Sequence, residues 1–460
     1  MPAIPTRITL TGYRSQTGRL SMIMTSPIPR SPAGRAALSL LGLACAFGPL
    51  GAQAPAQYDA EVRALMARPA VRSALAHIEA TDAETMADLR ELTQIPAPPF
   101  LEGERGQAFL AKLREVGVDS AWVDEVGNVI GLRRGTGTGR VLALAGHLDT
   151  VFPPETDVTI RERGDTLFAP GVADDTRGLA AVLAVLRAMN EESIRTEADV
   201  LFIGNVGEEG LGDLRGVKHL FREGGPGIDA FVSVDNAGSG GITHMGLGSH
   251  RYRVTFEGPG GHSWGDFGQA NPVHAMGRAI AYFEDEADPY TRQAPYETSY
   301  NVGRIGGGTS VNAIPFESWM EVDMRSEGVE TLAAVDEIFQ RAMQRALVDE
   351  NALRRQGPRL TVKVELVGDR PSGEIPEDHP FVQQAAAVTR SLGRRPTFGR
   401  SSTDANVPIS MGIPAITIGG GGESSGSHSP DEWFRNEDGP LGVQIILLIV
   451  LAEAGVAEAS

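Results

Sequence analysis

Metal-ligand side chains recur in this sequence at the ends of apolar runs or just before an apolar helix. They are two histidines and six carboxylates, namely His147 with Asp149, Asp174 with Asp175, Glu208 with Glu209, Asp235, and His428. In α/β folds, side chains at the carboxyl ends of strands project into the crevice that binds ligands. Two histidines with several carboxylates supply what two zinc ions sharing a carboxylate bridge require. The sequence therefore predicts a two-zinc centre.

Each cluster taken singly also has a purely structural explanation. Asp149 could simply hydrogen-bond a strand-end His147, and one acid of the Asp174-Asp175 pair could cap the next helix. The glutamate pair could belong to a solvated loop. In the chemical interpretation, Asp149 would contact His147 without binding the metal and would fix its tautomer. In each pair of adjacent acids, one would bind metal and the other would transfer a proton. The joint occurrence of the clusters favours the chemical interpretation.

Composition and motifs also restrict the metal ligands, the class of metalloenzyme and the type of partner. The only cysteine, Cys45, lies in an N-terminal apolar segment, so any zinc must be bound by His, Asp and Glu. A single-zinc protease would be favoured by a His-Glu-x-x-His helix, and the chain has none. The formal net charge of −18 argues against nucleic acid as a partner.

The N-terminal segment 1–56 has the layout of a secretory signal peptide. An apolar run over 36–47 follows Arg30 and Arg35 and precedes small residues that end at Ala56, the favoured cleavage site. An uncleaved anchor is an alternative, although the run falls short of the ~20 residues that span a membrane. A lipid anchor on the cysteine is another. We expect a secreted or periplasmic protein with no stable membrane association after cleavage.

Periodicity divides the remaining chain into a catalytic unit in two parts and an inserted unit. Over 57–247 a helical entry segment is followed by strands that alternate with helices, which predicts an α/β sheet with covered faces. Over 248–366 the order β-α-β-β-α-β predicts a small ferredoxin-like domain. Helix and strand alternation resumes over 367–460, so the small domain is inserted in the larger one. The glycine-rich segment 419–427 is interpreted as a flexible linker.

The ordered clusters resemble the co-catalytic two-zinc family that includes carboxypeptidase G, peptidase T, aminoacylase, acetylornithine deacetylase and succinyl-diaminopimelate desuccinylase. The matching segments are Gly146-His-Leu-Asp-Thr-Val, Ala173-Asp-Asp, Gly207-Glu-Glu-Gly-Leu and His428-Ser-Pro-Asp-Glu. The resemblance implies a zinc-exopeptidase-like catalytic domain, with a mixed sheet flanked by helices, and an inserted α+β dimerisation and lid domain. It also implies hydrolysis of a peptide or N-acyl amino-acid bond.

Carried over residue by residue, the resemblance implies two Zn²⁺ per subunit, with Co²⁺ or Mn²⁺ as substitutes. One ion would be bound by His147, Asp174 and Asp235. The other would be bound by Asp174, Glu209 and His428, so that Asp174 bridges the two ions.

The resemblance also implies roles for residues that bind no metal. Asp149 would orient the histidine of the first site. Glu208 would be the general base, which takes a proton from the attacking water and later passes one to the leaving amine. The peptide bond between Asp174 and Asp175 would be cis.

The resemblance also implies roles for three residues of the inserted domain. His262, in a Gly-Gly-His-Ser turn, would reach the active site of the partner in a homodimer and stabilise the developing oxyanion. Asn312 and Arg325 would bind substrate, Arg325 as a bidentate partner of a carboxylate. Without the resemblance, His262 is a loop histidine and Arg325 belongs to a surface ion pair.

The substrate class stays open at this point. Thr176 stands where the family usually has Lys after the Asp-Asp pair, which we expect to leave metal binding intact but which weakens any subfamily assignment. A metallo-exopeptidase for small peptides is the leading interpretation, and an N-acyl amino-acid deacylase is the alternative. A non-catalytic dimeric binding protein of the same fold would be favoured by a missing ligand or base, and none is missing.

Overall fold

The computed structural model describes residues 55–458. Nearly all of the predicted signal peptide, with its anchor alternatives, lies outside the described residues. The helices of the described part are α1 (Pro55–Ala67), α2 (Pro69–Ala80), α3 (Asp82–Thr93), α4 (Gly103–Val116), α5 (Thr176–Glu191), α6 (Arg215–Leu220), α7 (Pro272–Thr291), α8 (Val329–Leu353), α9 (Pro380–Ser391), α10 (Asn406–Ser410) and α11 (Gly439–Ala454). A short 3₁₀ turn covers Gly210–Gly212.

The strands of the larger unit precede and follow those of the inserted unit. They are β1 (Ser120–Val123), β2 (Val129–Arg133), β3 (Val141–His147), β4 (Arg161–Arg163), β5 (Thr166–Phe168), β6 (Asp199–Asn205), β7 (Ala230–Val234), β8 (Gly241–Gly246), β15 (Gly373–Glu374), β16 (Thr397–Ser401), β17 (Ala415–Ile418), β18 (Glu423–Ser425) and β19 (Trp433–Arg435). Those between them are β9 (Gly248–Glu257), β10 (Gly261–His262), β11 (Thr298–Gly307), β12 (Ala313–Ile314), β13 (Glu317–Ser326) and β14 (Thr361–Arg370).

A nine-stranded mixed sheet organises the larger unit. Its order is β1-β2-β6-β3-β7-β17-β8-β15, with β16 paired to β8. The neighbours β6, β3, β7 and β17 are parallel, and the pairs β1/β2, β2/β6 and β8/β15 are antiparallel. The central strands are buried along almost their whole length because helices cover the sheet. The predicted mixed α/β sheet flanked by helices is confirmed.

Buried helices complete this core. α5 is buried on nearly every side and packs on β3 and against α11, and α11 is equally apolar. The helical entry segment forms α1, α2 and α3, with Pro69 opening α2 as a first-turn proline, which needs no N–H partner. Within residues 55–458, no helix combines the length and the apolar character needed to cross a membrane.

The inserted unit has its own sheet and its own hydrophobic core. Four antiparallel strands follow the order β11-β13-β9-β14, and α7 and α8 pack together on one face. This is the predicted ferredoxin-like arrangement, since the chain order is β9-α7-β11-β13-α8-β14. β14 continues to Arg370, four residues beyond the predicted domain end at residue 366. A two-stranded ribbon of β10 and β12 extends from this unit.

The glycine-rich segment 419–427 is ordered and packs closely against α11 and the segment after β7. Its interpretation as a flexible linker is therefore wrong. The N–H groups of Gly420 and Gly421 donate to the carbonyls of Asn236 and Gly238, at 2.8 and 2.9 Å. A Cβ placed on Gly442 of α11 would lie 2.2 Å from the Gly421 Cα. Glycine is required here because two backbone segments touch, and not because the chain must bend freely.

Candidate metal centre

The carboxyl ends of neighbouring parallel strands bring the predicted ligands together. β3 ends at His147, and β7 ends one residue before Asp235. The segment after β6 carries the glutamate pair, and Asp174 enters from the turn before α5. His428 follows β18, the short strand that comes next after β17. Because β6, β3, β7 and β17 are adjacent and parallel, their ends meet at one edge of the sheet.

The first group of ligand atoms surrounds His147, which is buried. Its Nε2 lies 3.1 Å from Oδ1 of Asp174, and these two residues and Asp235 offer ligand atoms that all lie within 4.8 Å of one another. Its Nδ1 lies 3.0 Å from the backbone oxygen of Asp149. A proton on Nδ1 would satisfy that carbonyl and leave the Nε2 lone pair for a cation.

The second group combines Asp174, Glu209 and His428, again with ligand atoms within 4.8 Å of one another. His428 Nε2 lies 2.8 Å from Glu209 Oε1 and 3.3 Å from Asp174 Oδ2. Asp174 therefore presents one oxygen to each group. The side chain of His428 is 56% exposed, so this group is open to solvent.

These donors fit two zinc-type cations. Zinc takes histidine nitrogen and carboxylate oxygen at about 2.0–2.2 Å, which puts tetrahedral donors roughly 3.4 Å apart. The separations of 3.1 Å in the first group and 2.8 and 3.3 Å in the second are near that value. A third, overlapping group of His147, Glu208 and Glu209 joins the two.

The charges of the centre also favour cations. Burial, with Asp174 nearby, raises the pKa of Asp235 well above its usual range. Burial acts the same way on Asp174, but its hydrogen bonds with His147 and His428 hold its pKa below the usual range. Hydrogen bonds to Asp174 and Glu209 raise the pKa of His428 to about 10. The carboxylates thus outnumber the positive charges available to them, and divalent cations would compensate the excess.

The carboxylate of Asp149 contacts the glutamate pair more closely than it contacts the histidine ring. Its carboxylate accepts the backbone N–H groups of Glu208 and Glu209, at 3.0 and 2.8 Å. The carboxylate oxygen lies 3.8 Å from His147 Nδ1, which is bonded to the Asp149 carbonyl instead. The expected orienting contact is therefore made by the main chain, while the buried carboxylate fixes the loop of the candidate base.

Asp175 fixes the other side of the centre. Its carboxylate caps α5 through the N–H of Gly178 and also accepts the N–H groups of His147 and Asn236, at 3.1, 3.0 and 3.2 Å. The peptide bond from Asp174 to Asp175 is cis, as the resemblance implies. The hydroxyl of Thr176 donates to the Gly171 carbonyl at 2.6 Å, and the expectation that this departure leaves metal binding intact stays a prediction.

Two buried groups beside Glu208 were not predicted. Arg370, the last residue of β14, places Nη1 2.9 Å from Glu208 Oε1, and its Nη2 donates to the Glu208 carbonyl. Burial lowers the pKa of Arg370, but the negative charge of Glu208 raises it, so that the pKa lies above its usual value. Asp404 accepts from Asn205 at 2.7 Å, and burial raises its pKa to about 7. A strand of the sheet in the inserted unit thus ends at a residue that contacts the candidate general base, Glu208.

Glu432 was also missed, although it closes the His428 motif. Burial raises its pKa to about 7, against the hydrogen bonds that it accepts from Gly171, Ala173 and Asp174. It is the last residue of the matching segment His428-Ser-Pro-Asp-Glu, but no role could be predicted for it, because its partners are backbone groups some 260 residues away.

The three residues predicted from the inserted unit lie apart from the metal groups. Within residues 55–458, no hydrogen bond or ion pair joins His262, Asn312 or Arg325 to the candidate ligands. His262 is exposed, and its Nδ1 accepts the N–H groups of Trp264 and Gly265, at 3.1 and 3.2 Å. Its Nε2 therefore carries the proton of the neutral ring.

Asn312 and Arg325 have local partners. Asn312 adjoins the His262 turn, since its carbonyl accepts the Ser263 N–H at 3.0 Å. The Arg325 Nε donates to Asp323 at 2.7 Å, an ion pair within β13.

Comparison with known proteins agrees with this geometry. The profile of the peptidase family M20/M25/M40 matches residues 143–452. Acetylornithine deacetylase from Myxococcus xanthus is 26% identical over 381 residues, covering 80% of this chain and 94% of that enzyme.

Solved structures show the same fold. The aminopeptidase PepT of Bacillus cereus superposes with a TM-score of 0.62 at 22% identity, covering 80% of this chain and 97% of its own. A dinuclear metal-binding peptidase from Bacillus subtilis gives 0.58 at 19% identity, covering 82% and 99%.

Proposed function

The chain belongs to the peptidase family M20/M25/M40, and from that premise we propose that it is a metallo-exopeptidase that cleaves a peptide bond in small peptides. Membership makes the chain a metal-dependent hydrolase of peptides or N-acyl amino acids. The two-metal mechanism in this proposal is supported by one observation above all, the two ligand groups that share Asp174. Such a pair of groups suits two ions acting on one scissile bond.

In this proposal His147, Asp174 and Asp235 hold one Zn²⁺, and Asp174, Glu209 and His428 hold the other. Co²⁺ or Mn²⁺ would substitute. When bound, the ions lower the pKa of water and polarise the scissile carbonyl. A metal titration of the chelator-treated protein tests this, with two zinc equivalents expected and one or none contradicting it.

Glu208 takes the proton from the attacking water and returns one to the leaving amine. Its buried position keeps it beside both ligand groups, since its carboxylate belongs to the overlapping set with His147 and Glu209. Asp149 fixes its backbone, and Arg370 fixes its side chain.

The alternative substrate class, N-acyl amino acids, is favoured by the similarity to acetylornithine deacetylase. One screen separates the two classes. The zinc-loaded protein is assayed with di- and tripeptides and with N-acetyl, N-succinyl and N-carbamoyl amino acids. Faster hydrolysis of the peptides supports the proposal, and turnover confined to acyl amino acids refutes it.

We propose further that the inserted unit is a dimer interface and lid that carries His262 to the partner's site. The exposed ring with its Nε2 proton supports this, because such a group can donate to an oxyanion. His262→Ala should lose activity but keep metal, and mixing it with Glu208→Gln should restore some turnover through hybrid dimers. An active monomer, or no rescue after proven subunit exchange, would refute the trans role.

Export through residues 1–56 remains a proposal, supported by the signal-peptide layout of that segment. Fractionation of bacterial cells that express the full chain tests it. A periplasmic or secreted product that begins at Gln57 is expected, whereas an unprocessed cytoplasmic product would contradict it.

A further inference from the structure

Glu432 lies beside the candidate metal centre without being one of its ligands. Its side chain is fully buried, with 0% exposure. Oε1 accepts the N–H groups of Ala173 and Asp174 at 2.8 and 3.0 Å, and Oε2 accepts that of Gly171 at 2.8 Å. Both oxygens therefore bind the backbone of the turn that carries the bridging acid.

The main chain of Glu432 is tied to the segment that carries His428. Its N–H donates to the Ser429 carbonyl at 3.0 Å, and its carbonyl accepts the N–H of Ala169 at 3.1 Å. His428 is only four positions upstream in the sequence. The side chain of His428 is half exposed, so burial does little to hold it.

We propose that Glu432 is a positioning residue that sets the separation between the bridging Asp174 and His428. The carboxylate of Glu432 binds the backbone of the turn that carries Asp174. The backbone of Glu432 belongs to the segment that carries His428. This inference rests on the two-metal site of the proposed function. Groups behind metal ligands change metal affinity through orientation alone, and losing one typically costs 10- to 100-fold.

A purely structural role predicts something different. If Glu432 only filled a buried position, its loss would lower the stability of the metal-free protein and leave the affinity for metal unchanged. A positioning role predicts that metal affinity falls far more than metal-free stability. The two roles are therefore separated by measuring both quantities on the same variants.

The test compares Glu432→Gln with Glu350→Gln. Glu350 is a matched control because it is also a buried glutamate that accepts a backbone N–H, from Asn271 at 3.0 Å, but it lies in the inserted unit. Zn²⁺ affinity is measured by chelator competition, Co²⁺ binding by absorption spectroscopy, and metal-free stability by thermal unfolding. For Glu432→Gln we expect at least one Zn²⁺ dissociation constant to rise about 10- to 100-fold, with a changed Co²⁺ spectrum. Glu350→Gln should keep the wild-type Zn²⁺ affinities and Co²⁺ spectrum, although it too loses a buried carboxylate and therefore some metal-free stability.

The outcomes distinguish this inference from the proposed function. If the wild type binds two Zn²⁺ and Glu432→Gln binds them equally tightly, the positioning role is overturned. If the wild type binds no Zn²⁺, the two-metal site itself fails. Should Glu432→Gln not fold, Glu432→Asp replaces it, because it keeps the charge but withdraws the oxygens by one methylene. Unchanged Zn²⁺ affinity in folded Glu432→Asp would likewise overturn the role.

Discussion

Replacing Glu208 by Gln should separate proton transfer from metal binding. The amide oxygen of Gln can take the place of Oε1 against Arg370, now 2.9 Å away, so the amide nitrogen falls where the second oxygen was. That position loses its proton-accepting oxygen. General-base catalysis contributes at least about 100-fold, which corresponds to about 2.7 kcal/mol in the activation barrier. We therefore expect turnover to fall by this factor or more.

The same substitution also removes the charge partner of the buried Arg370. Arg370 stays charged, so its hydrogen bond to the Gln amide oxygen is still one to a charged group. Removing one partner of a buried ion pair costs about 3–5 kcal/mol, but Glu209, Asp404 and Asp213 still act on Arg370, so we expect the free energy of unfolding to fall by less than that. The backbone carbonyl of Glu208, which Arg370 also binds, is unchanged. Metal content should stay at the wild-type level because the carboxylates of both ligand groups remain.

The assay measures kcat at saturating substrate, bound metal by atomic absorption, and unfolding by denaturant. Glu350→Gln serves as the control, since Glu350 also accepts from an arginine, Arg278, at 3.2 Å. Parallel loss of metal in Glu208→Gln would make Glu208 a ligand. Turnover within tenfold of the wild type would remove it from proton transfer altogether.

Three further results are expected. Chelation should lower thermal stability, since ligand at 100 times its dissociation constant adds about 2.7 kcal/mol, and an unchanged melting temperature would contradict metal binding. Gly442→Ala should lower the free energy of unfolding by about 1–3 kcal/mol in denaturant, because its Cβ would overlap Gly421. Gly277→Ala is the control and should be neutral or stabilising, because no atom lies within 4 Å of its added Cβ. Equal effects of the two substitutions would be evidence against the close packing. The hydrogen bond to Asp336 raises the pKa of His250 above 6.5, so this stabilisation should be full below about pH 6.5 and lost as pH rises through the raised value. The stability difference between wild type and His250→Gln should shrink over that range, and a constant difference would exclude the linkage.

The parts of the centre that could be predicted are those with a local signal. His147 and Asp235 stand at or directly after apolar strands, so the edge they share follows from the parallel order of the sheet. The ferredoxin-like order of the inserted unit could also be predicted from a local signal. Strands with one exposed face keep an alternation of apolar and polar residues in the sequence.

The parts that were missed depend on distant backbone. Arg370 lies beyond a register shift between Leu366 and Gly368, where the alternation breaks, so the inserted domain was predicted to end at residue 366. Glu432 has backbone partners that no side-chain pattern reveals. The glycine-rich segment looked like a linker because composition does not report what packs against a missing side chain.

Asp174 offers Oδ1 to His147 and Oδ2 to His428, so the two ligand groups draw on one carboxylate. Two ions held there cannot fill their sites independently, because the first ion withdraws charge from the oxygen offered to the second. Whatever factor the first ion imposes on the affinity of the second, the second imposes on the first. A binding isotherm of this protein should therefore show two coupled steps. Substitution of His428 should weaken the ion beside His147 as well as its own.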